Sequence, residues 1–172
     1  MYGTDPSAAA LAAAEAFAAA GHPIVFELEA GQRRDTLYLA RQGLQVTALD
    51  IATGAVEVIS AKARAASLAS KVSVADMFEP LPLSDDSIDA SYSHMLFCMA
   101  LTTGELERLA LELRRMVRPA GLVVYTARTT ADAHYGTGTP RGDDMYEHGE
   151  FIVHFFNRAH QTPRCRLQAH RR

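Results

Sequence analysis

Tryptophan is absent from this 172-residue chain, and cysteine nearly so, with only Cys98 and Cys165. Two thiols cannot build a disulfide framework, so disulfide-rich secreted scaffolds are excluded and a reducing, cytoplasmic compartment is expected. Long apolar runs are also missing. No stretch approaches the roughly 20 residues that a membrane span requires. Nor does one sign of charge dominate, because 17 Lys and Arg stand against 20 Asp and Glu, a net of −3. That balance gives no global attraction to nucleic acid or to an anionic membrane, and neither is expected as a partner. His94, His134, His148, His154 and Cys98 lack the short, repeated spacing of a zinc site, so no metal is expected. A G-x-S-x-G nucleophile elbow is absent, and Gly136-Thr-Gly138 lacks the lysine of a phosphate loop. Acyl transfer and P-loop chemistry therefore have no support.

What is present begins with alanine. Positions 8 to 20 are Ala except for Leu11, Glu15 and Phe17. Alanine is the best helix former, Asp5 and Ser7 are caps in waiting, and Gly21 follows, so a soluble helix is expected. The leader from Met1 to Ser7 carries only Asp5 as a charge, which does not fit a secretory signal. At the other end, the last 22 residues hold five arginines and no acidic residue. From Arg158 onward no apolar periodicity is left. A frayed basic tail is favoured there over a nucleic-acid-binding arm. The expected organisation is an Ala-rich helix over 1–22, one domain over 23–157 and the tail over 158–172.

Between these ends, short apolar runs alternate with amphipathic ones. Ile24–Leu28, Gln45–Leu49, Lys71–Ala75, Ile88–Tyr92 and Leu122–Thr126 read as strands. Asp35–Arg41, Gly54–Ser70 and Gly104–Val117 read as helices, with Pro119 and Gly121 closing the last. Strands separated by helices predict parallel β-α-β units, and hence a doubly wound α/β fold. Ligands of such sheets lie beyond the carboxyl ends of the strands. The site is therefore expected at Glu29 to Asp35, Asp50 and Ile51, Asp76 and Met77, and Ser93 to Met95.

Asp50 stands 19 positions after Gly31, the arrangement in which a carboxylate takes both hydroxyls of a ribose. Asp76 ends the next strand and could accept from an exocyclic amine such as that of adenine. Each Asp alone is an ordinary strand-end or capping residue. Together they favour a nucleoside-containing ligand, while the missing G-x-G-x-x-G disfavours a nicotinamide dinucleotide. The stretch from Asp132 to Glu150 reads as a Gly-rich loop, either an acceptor pocket or a plain solvated connection. Tyr135, Arg141, Asp143, Asp144, Tyr146 and His148 are its candidate substrate contacts.

The stretches FELEAGQRRDTLYLARQGLQVTALD, ADMFEPLPLSDDSIDASYSHMLFCMAL and LRRMVRPAGLVVYTAR resemble class I S-adenosylmethionine-dependent methyltransferases, over about Ile24 to Phe156. The resemblance implies a Rossmann-like methyltransferase fold with strand order 3-2-1-4-5 and S-adenosylmethionine as cofactor, S-adenosylhomocysteine being the product. It places Glu27 near the methionine end of the cofactor, and Ala30 and Gly31 along methionine and ribose. Asp50 would hold the ribose hydroxyls and Asp76 with Met77 the adenine, with Ile51 a further cofactor contact. Ser93 and His94 would sit beside the sulfonium and the acceptor, His94 being the first candidate for a catalytic base.

Two departures from that family are visible. Its first loop is normally E-x-G-x-G-x-G, whereas this chain has Glu27-Leu-Glu29-Ala-Gly31-Gln-Arg33, in which only the middle glycine survives. A side chain forced into a left-handed conformation costs roughly 1–2 kcal/mol, and Glu29 brings a carboxylate towards that of the cofactor, so weakened binding is expected. The family fold also continues past the fifth strand through a helix and an antiparallel pair. Phe151–Phe156 begins such a continuation, so the final pair is expected to be missing, with a bare sheet edge open to homodimerisation. The sequence thus points to methyl transfer onto a small-molecule acceptor. Its alternative is a weak or inactive methyltransferase-like domain serving as a binding or dimerisation module.

Overall fold

The structure, a computed structural model, describes residues 5–31 and 34–157. Helix α1 (Ala8–Ala20) opens with Ser7, whose side chain accepts from the Ala10 amide, and closes on Gly21 in a left-handed conformation. The core sheet follows: β1 (Ile24–Leu28), α2 (Arg34–Arg41), β2 (Gln45–Asp50), α3 (Thr53–Ala65), β3 (Ser70–Val74), β4 (Ile88–Ser93), a single 3-10 turn at Leu96–Cys98, α4 (Thr103–Met116) and β5 (Val117–Tyr125). The five strands lie in the order β3-β2-β1-β4-β5, every pair parallel. This is the doubly wound order expected.

Strand alternation sends successive side chains to opposite faces of the sheet. Val25, Val46, Ala48, Ala90 and Tyr92 pack with Ala10, Ala13 and Phe17 of α1 and Leu39 of α2. Phe26, Leu28, Leu49, Ile88 and Val123 pack on the other face with Leu106, Leu109, Leu113 and Met116 of α4. The small alanines of α1 let the helix sit close to the sheet, which is why a nearly featureless sequence makes a well-buried helix.

Several boundaries differ from the sequence reading, each for a local reason. α3 stops at Ala65 rather than Ser70, because Ser67 turns left-handed (φ 52°) and the Leu68 amide reaches back to the Ala63 carbonyl. β5 begins at Val117, directly from α4, and takes in Pro119 and Gly121. An irregularity between Ile88 and Ala90 absorbs the extra residues, and a Cβ on Gly121 would strike the backbone at Asp89. The stretch expected as a loop is strand-rich. β6 (Arg128–Thr129), β7 (Thr139–Gly142), β8 (Met145–His148) and β9 (Phe151–Phe156) form a second, mixed sheet in the order β6-β9-β8-β7. The main sheet still ends at β5, and the antiparallel strands pair with one another instead of extending it. The basic tail lies outside the described residues. Among the described residues no helix is long and apolar enough to cross a membrane.

Candidate functional site at the carboxyl ends of the strands

The loop after β1 is drawn over the end of β2 by backbone donors. The Ala30 amide bonds the Leu49 carbonyl at 3.2 Å, and the Gly31 amide donates to Asp50 Oδ2 at 2.6 Å. The other oxygen of Asp50 accepts from the Ala52 amide at 2.8 Å. Asp50 is therefore buried and aimed at the loop, where the 19-residue spacing puts it. Glu29 occupies φ 58°, the left-handed conformation that its place in the glycine pattern requires, and Gly31 lies at φ 42°. Burial and the nearby Asp50 both push the Glu29 carboxyl above its ordinary range.

Glu27, one turn of the strand before, is buried at 2% exposure with Oε2 lacking any partner. Burial is the main reason its pKa is pushed up to about 8; Asp35 and Asp50 add to the rise, and the Thr36 hydroxyl opposes it. Asp35, at the start of α2, is held by three donors: the Ser7 amide at 2.8 Å, Ser7 Oγ at 2.7 Å and Tyr92 Oη at 2.7 Å. The cap of α1 is thus tied to α2 and to β4, next to Glu27. Burial, then Asp35, drives the Tyr92 hydroxyl well above the usual tyrosine range. Sequence reasoning missed this linkage, since nothing in the pattern of a helix-capping serine announces a buried partner 28 residues on.

Beyond β2 and β3 the surface turns apolar. Ile51 is 58% exposed and Phe78 47%. Asp76 accepts from the Phe78 amide at 2.9 Å, a local turn that sets Met77 and Phe78 beside the strand end. A surface groove of about 280 Å³ starts at Met77 and runs between Pro80 and Arg108, Leu109 and Glu112 of α4. At the end of β4, Ser93 is buried with Oγ lacking a partner. Next to it, His94 Nδ1 lies 2.9 Å from Thr126 Oγ1, which also accepts from the Met95 amide at 2.8 Å. Thr126 was not among the expected site residues. Its position just past β5 was the only clue to it.

The structure thus gathers Glu27, Ala30, Gly31, Asp50, Ile51, Asp76, Met77, Ser93 and His94 towards the carboxyl ends of four neighbouring strands. It treats four of the six substrate candidates, Tyr135, Arg141, Tyr146 and His148, differently. Tyr135 and Tyr146 meet edge-on at 5.4 Å and share Phe155, while Tyr135 Oη donates to Asp144 at 2.8 Å. Arg141 pairs with Glu147 in the same hairpin. The His148 ring lies edge-on to His134. Among the described residues, no hydrogen bond, ion pair or ring contact joins these four to Glu27 or Asp50. Their sheet does dock on the segment after His94, through His154 Nδ1 to the Leu101 carbonyl at 2.6 Å, and the half-buried Phe156 packs against the core cluster that holds Leu96 and Leu101.

Four carboxyl groups converge here, at Glu27, Glu29, Asp35 and Asp50, beside apolar surface and two unpartnered buried oxygens. Such a set suits a ligand that carries a cation, a diol and a flat ring, with Glu29 as the discordant member.

The family model for the methyltransferase domain matches residues 26–125. Among solved structures, the CcbJ methyltransferase from Streptomyces caelestis is 21% identical with a TM-score of 0.68, covering 89% of this chain and 62% of its own. Coclaurine N-methyltransferase, bound to N-methylheliamine and S-adenosylhomocysteine, is 20% identical with a TM-score of 0.54, covering 66% and 34%. A structure concerned with converting a disulfide bond into a thioacetal group during echinomycin biosynthesis is 27% identical with a TM-score of 0.58, covering 69% and 49%. The chain spans less than two thirds of the length of each. No curated protein matches it.

Proposed function

The chain belongs to the class I S-adenosylmethionine-dependent methyltransferases, and from that premise we propose that it methylates a small-molecule acceptor, with S-adenosylhomocysteine as product. The observation that carries this reading is Asp50 held against the loop after β1, with the buried Glu27, its Oε2 unpartnered, beside it. Asp50 takes the ribose hydroxyls, and Glu27 faces the ammonium of the methionine part. Ala30 and Gly31 line methionine and ribose, with Ile51, Asp76 and Met77 around the adenine. Ser93 and His94 border the reacting centre. When bound, the cofactor supplies a methyl group on a positively charged sulfur.

The protein's own task is to hold donor and acceptor about 3–3.5 Å apart and to exclude water. Thr126 positions the His94 ring through Nδ1, so that His94 can take a proton from an acceptor that must lose one. Tyr135, Tyr146, Arg141 and His148 form the acceptor side, on the sheet that docks beside His94. The protein works in the cytoplasm.

One observation favours a second reading, a weak methyltransferase-like domain that serves as a binding or dimerisation module: Glu29 stands strained where a glycine is usual. Calorimetric titration with S-adenosylmethionine and S-adenosylhomocysteine separates the two. Micromolar binding of both supports the enzyme, and absence of heat up to millimolar ligand supports the module.

A further inference from the structure

Of the three carboxyl groups that are buried at the site, Glu27 is the one with an oxygen left unpartnered and sealed from water. Asp35 of α2 receives three hydrogen bonds and Asp50 of β2 receives two, but Glu27 Oε2 receives none and is sealed from water. Donors to a carboxylate favour its charged form, and burial without them favours the neutral one. The groups around Glu27 sharpen the contrast. Asp35 and Thr36 face it from α2, Asp50 from β2 and Tyr92 from β4, its register partner in the sheet; Glu29 follows in the loop. The one cation recorded in this group, Arg34, lies against Asp35 at 3.6 Å. Burial and the missing donor to Oε2 therefore favour the protonated form of Glu27.

We propose that Glu27 meets its ligand as a carboxylic acid and releases its proton to solvent when the cofactor's ammonium arrives, so that cofactor uptake is a proton-for-cation exchange. The inference rests on the cofactor reading above and adds a linkage to it. The balance is simple: the carboxyl O–H bond breaks, the proton leaves to buffer, and the carboxylate pairs with the incoming –NH₃⁺. Ser7 and Tyr92 are positioning residues. Their hydroxyls are committed to Asp35 and to each other, so neither is recorded as a donor to Glu27.

Below the pKa of about 8 that burial gives Glu27, each binding event must expel a proton. The ligand's own α-amino group, with an ordinary pKa of about 7.7–8.0, stays charged in the same range. Affinity for S-adenosylhomocysteine is therefore expected to rise roughly tenfold between about pH 6 and pH 7.

The experiment is titration of the full chain with S-adenosylhomocysteine near about pH 6.5, where that amine is charged, in two buffers of different ionisation enthalpy. 5′-Methylthioadenosine, which has the nucleoside without the amino acid, is run alongside. The expected result is release of close to one proton with S-adenosylhomocysteine and none with 5′-methylthioadenosine or in the Glu27→Gln variant. Equal heats in both buffers overturn the exchange while leaving the cofactor reading intact. Absence of binding by S-adenosylhomocysteine overturns both. The comparison on the unaltered chain is complete even where the variant fails to fold.

Discussion

Glu29 shows how one residue carries two separate costs. Its backbone sits at φ 58°, where an L side chain costs roughly 1–2 kcal/mol. Its carboxyl is also driven above its ordinary range by burial and by Asp50. The strain belongs to the unliganded fold, whereas the charge opposes the carboxylate of an incoming cofactor. Glu29→Gly removes both, and we expect stability to rise by about 1 kcal/mol and cofactor affinity to rise roughly tenfold, equivalent to about 1.4 kcal/mol. Thermal denaturation and calorimetric titration read the two effects apart. A gain in melting temperature with unchanged affinity would show that Glu29 points away from the ligand. The strain at Glu29 was legible in the sequence because a broken glycine pattern names the position where Cβ is unwelcome. Thr126 was not, since a threonine after a strand is commonplace until its hydroxyl is seen against His94. Arg33, the other break in the pattern, lies outside the described residues.

Helices α1, α2 and α3 end on one device. In each, an amide just past the helix end reaches five residues back: His22 to Phe17, Leu44 to Leu39, and Leu68 to Ala63. The residue between must turn left-handed, and it is Gly21, Gly43 and Ser67 in turn. The two glycines advertise their helix ends, so those boundaries could be read from sequence. Ser67 hides the third, and the reading ran on to Ser70 through an Ala-rich stretch with no visible stop. It follows that Ser67→Gly should stabilise the protein by about 1 kcal/mol, a rise of about 2–4 °C in melting temperature for a chain of this size. A neutral or negative shift would mean that the added chain entropy of glycine cancels the relieved strain. The start of α1 carries a different load. Ser7 both caps the helix and fills Asp35, so Ser7→Ala leaves a buried carboxylate short of one donor and the helix without its cap. Its amide donor survives and its hydroxyl is lost, which predicts a cost of about 1–3 kcal/mol, more than an exposed cap would incur. Chemical denaturation beside Thr102→Ala, an exposed cap on α4, gives the comparison.

Across the whole molecule, the five-stranded sheet was readable because short β-rich runs alternate with amphipathic helices, and its central strands β1, β2 and β4 are largely buried. The second sheet was not. β7 is exposed throughout and polar, and its turn to β8 uses Asp143 and Asp144 at positive φ rather than the Asn-Gly that marks a hairpin. The buried charge is a property of the assembled fold in the same way, because Glu27 acquires its environment only when α1, α2, β2 and β4 close around it. Its folded pKa of about 8 lies above its ordinary value of 4.5, so the folded state holds a proton that the unfolded chain releases. Between those values stability must fall as pH rises, by on the order of several kcal/mol once both states have lost the proton. Glu105, Glu112 and Asp132 act in the opposite sense: hydrogen bonds lower them, so their contribution disappears on acidification. These three are half-buried and reached by solvent, which screens them, so Glu27 dominates above about pH 5. The melting temperature is therefore expected to decline from mildly acidic solution towards pH 8, and the Glu27→Gln variant to lack most of that decline and to melt higher than the parent at the alkaline end. Parallel melting curves for the two proteins across this range would mean that water reaches Glu27 and that its burial is not maintained in solution.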